Sequence, residues 1–377
     1  VLYRTLQGKL DNDRVLNPSG KPMAIWPVLL PLLASVLLGL SGWLGSSGPV
    51  LLLVGAALVG AVLASVHHAE VIAHKLGEPL GTLVLALAVT VIEVALIVTM
   101  MLAGGEKAAA VARDTVYSAV MIICTGVVGL CLLIGGVKHR EQTFRADGAN
   151  AALSALMALA ALSLVLPTFT TTTSGGTYST SQQAFAGVAS LVLWLVFVFV
   201  QTVRHRDYFL PVSDPADEEA HAHPPSTGQA WASLGLLLLS LVAVIGLAKV
   251  LSPAIEQGVE AQGLPKAVIG VVIALLVLLP ETVAAARAAM ANRLQTSLNL
   301  AIGSALASIG LTIPAVVCVA VWLQLPLQLG IEGKDLVLLL LTFGVGTLTL
   351  AQGRTTVMQG AVHLVIFAAF LFLTLVP

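Results

Sequence analysis

The chain has 377 residues, of which 58% are hydrophobic and only 10% charged, and its mean hydropathy is +0.98. Soluble globular proteins carry about 25% charged residues, so the composition points to an all-α polytopic membrane protein. A net charge of −1 excludes the basic footprint of a nucleic-acid binder. Cys124, Cys131 and Cys318 lack paired spacing and read as reduced packing residues, not a disulfide or zinc set.

Val1 to Lys21 is a short polar tail of mixed charge. No cleavable signal peptide is expected, because the first apolar run starts only at Trp26 and more runs follow. Eleven transmembrane helices are expected, at 26–42, 49–66, 79–103, 114–136, 149–167, 184–203, 230–251, 265–289, 296–322, 336–352 and 357–376. Each run is long enough to cross a bilayer. An odd number places the termini on opposite faces. With a cytoplasmic amino terminus, thirteen of the eighteen Lys and Arg fall inside. Lys107, Arg113, Lys249, Lys266 and Lys334 are left outside. This obeys the positive-inside rule and fits a bacterial inner-membrane protein with an external carboxyl terminus.

Residues 204–229 are the longest polar interruption and divide the chain. Asp217, Glu218 and Glu219 lie in an acidic, His-rich core that could collect cations or sense pH; a solvated linker explains the composition as well. The expected organisation is therefore a tail and first helix over 1–48, a five-helix unit over 49–203, the 204–229 loop, and a second five-helix unit over 230–377. Five is odd, so the two units insert with opposite topology. Inverted repeats with a midplane site between them are a recurring transporter architecture.

One acid stands deep in each unit: Glu93 in the third run and Glu281 in the eighth. A carboxylate at that depth costs several kcal/mol and must face protein or water. Costly ionisation lets such a group alternate between holding a proton and holding a cation. That alternation is antiport chemistry; the bland alternative is a glutamate hydrogen-bonded for packing. Thr90 is one turn before Glu93 on the same face. Pro280, directly before Glu281, removes a helix hydrogen bond and frees a carbonyl. Hydroxyls and freed carbonyls are ligands that hard cations accept.

Glu281 and Asn299 are equidistant from Met290 in the intervening turn, which puts them at similar depth. Asn299 is then a ligand or a site-orienting amide, or it bonds between helices. Similar arithmetic brings Asp114 to the depth of Glu93 if its helix begins soon after Lys107. If the helix begins at Asp114, that aspartate is a cap at the outer surface. Ser304 and Ser308 lie one turn apart among small residues and could add oxygens. His363 reads as a packed histidine.

His67, Glu70 and His74 share one face at the inner end of the second helix. They read as an interfacial polar face or as a cation-entry or pH-sensing patch. Three ligands from one helix cannot close a metal shell, and the order is not that of a zinc protease. No phosphate-binding loop is present. No cofactor is expected beyond transported ions, and the chain does not read as an enzyme.

GEPLGTLVLALAVTVIEVALI at 77–97 and LPETVAAARAAMANRLQTSLNLAIGSALASIGLTIPAV at 279–316 resemble the ChaA branch of the calcium/cation:proton exchangers (CAX), within the cation/calcium exchanger superfamily. The resemblance covers nearly all of 26–376. It implies two inverted five-helix repeats, each with one signature glutamate that binds cation or protons, which map onto Glu93 and Glu281. It also implies a central acidic segment, matched at 214–223. The family's Gly-Asn pair before each glutamate is replaced here by Val89-Thr90 and Val277-Leu278. The expected activity is exchange of cytoplasmic Ca²⁺, or of Na⁺ and K⁺, for external protons. A Na⁺(K⁺)/H⁺ antiporter with little Ca²⁺ transport and a passive cation channel are the alternatives.

Overall fold

The computed structural model describes residues 25–45, 47–77, 80–210 and 225–377. Eleven of its helices are long and apolar enough to cross a membrane. They are α1 (Trp26–Leu44), α2 (Gly48–Leu76), α3 (Leu80–Gly104), α4 (Val111–His139), α5 (Ala146–Phe169) and α6 (Thr180–Arg204). After the central loop come α7 (Thr227–Ala261), α8 (Ala267–Met290), α9 (Leu294–Leu323), α10 (Gly333–Ala351) and α11 (Val357–Leu375). Each expected apolar run is a helix, so the fold is that of an all-α polytopic membrane protein. Two helices outrun their apolar stretch. α2 continues ten residues past Val66, and α7 continues through Pro253 to Ala261. Both ends keep Ala, Glu, Lys or Gln among weaker helix formers, so the helix need not stop where the apolar pattern does.

Starts are marked by side chains that satisfy the free amides of a first turn. Ser179 with Gln182, Ser226 with Gln229, and Thr356 with Gln359 form reciprocal caps on α6, α7 and α11. α4 widens into a π-helical turn at Ile122–Val127, and α5 does so at Ala161–Val165 just before Pro167. α9 is broken at Leu311 into Leu294–Gly310 and Thr312–Leu323. Pro314 has no N–H to return to Gly310, which weakens the helix at that point.

α4 is the centre of the bundle. Every residue from Val111 to Gly129 is buried, as expected of a helix enclosed on all sides. Glycines let its neighbours approach. A Cβ on Gly270 of α8 would sit 2.6 Å from the Asp114 carbonyl carbon, and one on Gly360 of α11 would sit 2.4 Å from the Leu133 nitrogen.

The connections segregate into two ends, as alternating crossings demand. At one end Lys138 Nζ donates to the Met290 carbonyl (2.9 Å) and Gln142 Nε2 to Asn292 Oδ1 (2.9 Å). There too, β1 (Gln142–Thr143) pairs antiparallel with β2 (Arg354–Thr355). We call this the basic end, after Lys138, Arg140, Arg206, Arg293 and Arg354. At the other end Arg113 Nη1 donates to the Gly330 carbonyl (3.0 Å) and Lys266 Nζ to the Lys107 carbonyl (3.2 Å). All three cysteines are free thiols.

Candidate functional site

α3, α6, α8 and α9 enclose a cavity of about 560 Å³. Apart from Glu93, at the middle of α3, its lining positions on these helices fall in the halves nearer the basic end. Glu93 and Glu281 both line it. Glu93 is 2% exposed, and its Oε2 accepts a hydrogen bond from Thr312 Oγ1 at 2.8 Å. Ser308, one turn before Thr312 across the break in α9, lines the cavity with Glu93. Glu281 is partly buried on the opposing wall, and its sealed Oε2 has no hydrogen-bond partner. The charges of Glu70 and Glu93 both act on the Glu281 carboxylate. An acid with an open acceptor therefore shares a chamber with a second acid held by a hydroxyl. Oxygens so arranged can accept protons or a cation.

Thr90, Asn299 and Ser304 line the same cavity. The Thr90 hydroxyl donates to the Ala86 carbonyl at 2.8 Å, leaving its oxygen as an acceptor. Asn299 is occupied at both ends of its amide. Its Oδ1 accepts from Gln295 Nε2 at 2.8 Å, and its Nδ2 donates to the Phe209 carbonyl at 2.6 Å. It thus ties α9 to the short turn Arg206–Tyr208 and to Phe209, at the cavity's basic end.

Asp114 does not join the acids. α4 begins at Val111, so Asp114 lies in its first turn near the far end, and Ala110 holds the capping position. Its Oδ1 accepts from Arg113 Nε at 2.8 Å, and both residues are buried. Neither the midplane placement nor the surface cap describes it; it is half of a buried ion pair.

His67, Glu70 and His74 are not a metal centre. Among the described residues no three His, Cys, Asp or Glu stand close enough to hold a metal ion. His67 packs its ring against Trp26, with centroids 5.2 Å apart, and His74 is exposed. The buried imidazole of this helix is His68, between Ser233 Oγ (3.3 Å) and the Pro27 carbonyl (2.9 Å). His363 is packed as expected, Nδ1 on the Cys124 carbonyl (2.8 Å) and Nε2 on Thr349 (3.1 Å). Asp217, Glu218 and Glu219 lie outside the described residues.

The residue missed from the sequence is Thr312. Its signal is the Gly-Leu-Thr-Ile-Pro run at 310–314, in which a glycine and a proline punctuate a helix within reach of an acid. Also missed was the aromatic wall of the cavity, Trp194 and Phe197 of α6.

The sodium/calcium exchanger protein family matches residues 47–203 and 232–376. The chain belongs to that family. It is therefore a member of a family of secondary transporters. It is 51% identical over 360 residues to a protein of Sinorhizobium fredii named as a candidate ionic transporter, covering 94% of this chain and 96% of that one. It is 35% identical over 349 residues to the sodium-potassium/proton antiporter ChaA of Escherichia coli, covering 91% and 94%. The native YfkE structure superposes with a TM-score of 0.72 at 16% identity, covering 93% of this chain and all of that one. That likeness is one of fold.

Proposed function

We propose that this exchanger moves cytoplasmic Ca²⁺, or Na⁺ and K⁺, outward against external protons by alternating access, with Glu93 and Glu281 binding either load. The observation that carries the reading is that these two acids, one from each half of the chain, line a single cavity. Two carboxylates balance one divalent ion, two monovalent ions or two protons. The loaded site is then neutral in every case, and no crossing strands bare charge in a low dielectric. Oxygens of Thr90, Ser304 and Ser308, together with water, complete a hard-cation shell. The name of the E. coli relative, which is that of a sodium-potassium/proton antiporter, supports the monovalent load. The Val89-Thr90 and Val277-Leu278 replacements are in keeping with it.

The basic end is cytoplasmic on this reading, by the positive-inside rule, in a bacterial inner membrane with the carboxyl terminus outside. The cavity then faces the cytoplasm. α2–α6 and α7–α11 act as inverted repeats that rock about the acids, with α1 as an extra helix. Glu70, whose charge reaches Glu281, lies on the entry route. A gradient of one ion supplies the energy for moving the other.

The test is exchange in everted vesicles. Glu93→Gln and Glu281→Gln each abolish it; near-normal activity in either overturns the mechanism. Ion-dependent pH changes in proteoliposomes, driven by Ca²⁺, Na⁺ and K⁺ in turn, identify the load. Conduction without counter-transport of protons identifies a channel instead.

A further inference from the structure

The cavity is much larger than its proposed load. It encloses about 560 Å³, whereas a water occupies roughly 30 Å³ of liquid. Pockets of that size, mostly apolar with a few placed polar groups, suit organic ligands. Glu93 and Glu281 are at the deep end, and Glu281 Oε2 is sealed without a hydrogen-bond partner. Beside them and toward the basic end runs an apolar wall that includes Val89, Trp194, Phe197 and Leu300. The wall is stiff. The Trp194 Cβ lies against Gly310, 2.5 Å from where a Cβ there would stand. Phe197 meets Phe209 edge-on, with centroids 5.8 Å apart. Arg206 at the mouth is exposed, so solvent screens its charge.

A bare inorganic cation needs oxygen ligands and leaves most of this wall uncovered. A cation carrying an apolar body gains on both counts: its charge meets the acids, and its body covers the wall. Aromatic side chains also attract cations directly. Past Glu93 the route is shut by the buried side chains of Ile97, Met100 and Met101 on α3, so a long ligand stops there.

We propose that this cavity binds organic monocations with an apolar body, quaternary or protonated aryl- and alkylammonium compounds, which block exchange from the basic end. The proposal rests on the reading of Glu93 and Glu281 as the exchange site.

The probe is 3-phenylpropyltrimethylammonium, whose permanent charge cannot collapse a proton gradient. Titrated onto the full chain in detergent, it should bind once per chain, be displaced by Na⁺ or Ca²⁺, and bind far more tightly than its uncharged carbon isostere. It should inhibit exchange in everted vesicles, where the basic end faces outward. Trp194→Leu and Phe197→Leu should each weaken probe binding roughly tenfold, and two separate variants guard against one that fails to fold. Absence of saturable binding overturns the proposal. So does binding that is unchanged in the Glu93→Gln/Glu281→Gln double variant, or equal affinity for the neutral isostere. If the probe fails while both glutamates are required for exchange, only the ligand site falls. If the glutamates are dispensable for exchange, the functional reading falls, whatever the probe does.

Discussion

The Asn299 amide holds the Phe209 carbonyl at 2.6 Å, joining the first half of α9 to the turn that follows α6. The turn is held from below as well: a Cβ on Gly148 of α5 would sit 2.4 Å from the Tyr208 carbonyl oxygen. Arg206, Phe209 and Leu210 all line the cavity, so one side chain of α9 helps to hold the rim of the basic end. Asn299→Leu keeps the bulk and removes the donor, leaving a buried acceptor unpaired at about 1–3 kcal/mol. Backbone amides of 206–210 should exchange with deuterium faster in this variant, while those of α4 stay protected. Unchanged exchange in 206–210 would show that the bond does not hold the turn.

Thr312 donates to Glu93 at 2.8 Å, and a hydrogen bond to a charged group is worth about 1.5–3 kcal/mol. The donor favours the ionised carboxylate, the form that takes a cation. Thr312→Val should therefore weaken apparent cation affinity by roughly tenfold or more, and Thr312→Ser should restore it. The measurement is half-maximal cation concentration in the vesicle assay at fixed pH. Equal values for Val and Ser would leave Thr312 with packing alone.

Asp114 tests the difference between an ion site and an ion pair. Asp114→Asn removes the carboxylate bonded to Arg113, which is 8% exposed, and leaves Asp335 to face it. Breaking a buried pair in this way costs about 3–5 kcal/mol. The melting temperature in detergent should fall. Arg113→Met combined with Asp114→Asn should recover much of the loss, along with exchange. A double variant that folds but does not exchange would return Asp114 to the transport machinery.

Gly270 lets α8 lie against the backbone of Asp114 and Thr115. Gly270→Ala forces these two helices apart, at about 1–3 kcal/mol for overpacking. α8 carries Glu281, so thermal stability and exchange should fall together. Gly303, inside α9 with nothing within 4 Å of where its Cβ would stand, supplies the control: Gly303→Ala should not lower stability.

The eleven helices are legible in the sequence because a bilayer demands long apolar runs, and such a run is a local property. Glu93 and Glu281 are legible for the same reason, since an acid inside an apolar run stands out without any partner in view. Asn299 lines the same cavity as Glu281, but its amide is turned to the Phe209 carbonyl. Depth arithmetic failed for Asp114, because α4 begins only at Val111, after the single turn Gly105–Ala108 and two further residues.

What the order of residues alone determined is which segments enter the membrane and which of them carry a costly charge, both consequences of local solvation. Tertiary structure alone decided which hydroxyl meets which carboxylate. Thr312 lies 219 residues from Glu93 along the chain, and nothing about a threonine in an apolar helix names its partner. Tertiary structure also made α4 the central helix and turned Asn299 toward a backbone carbonyl. These outcomes depend on close approach between distant segments, where a single Cβ or an unpaired oxygen determines which packing is tolerated.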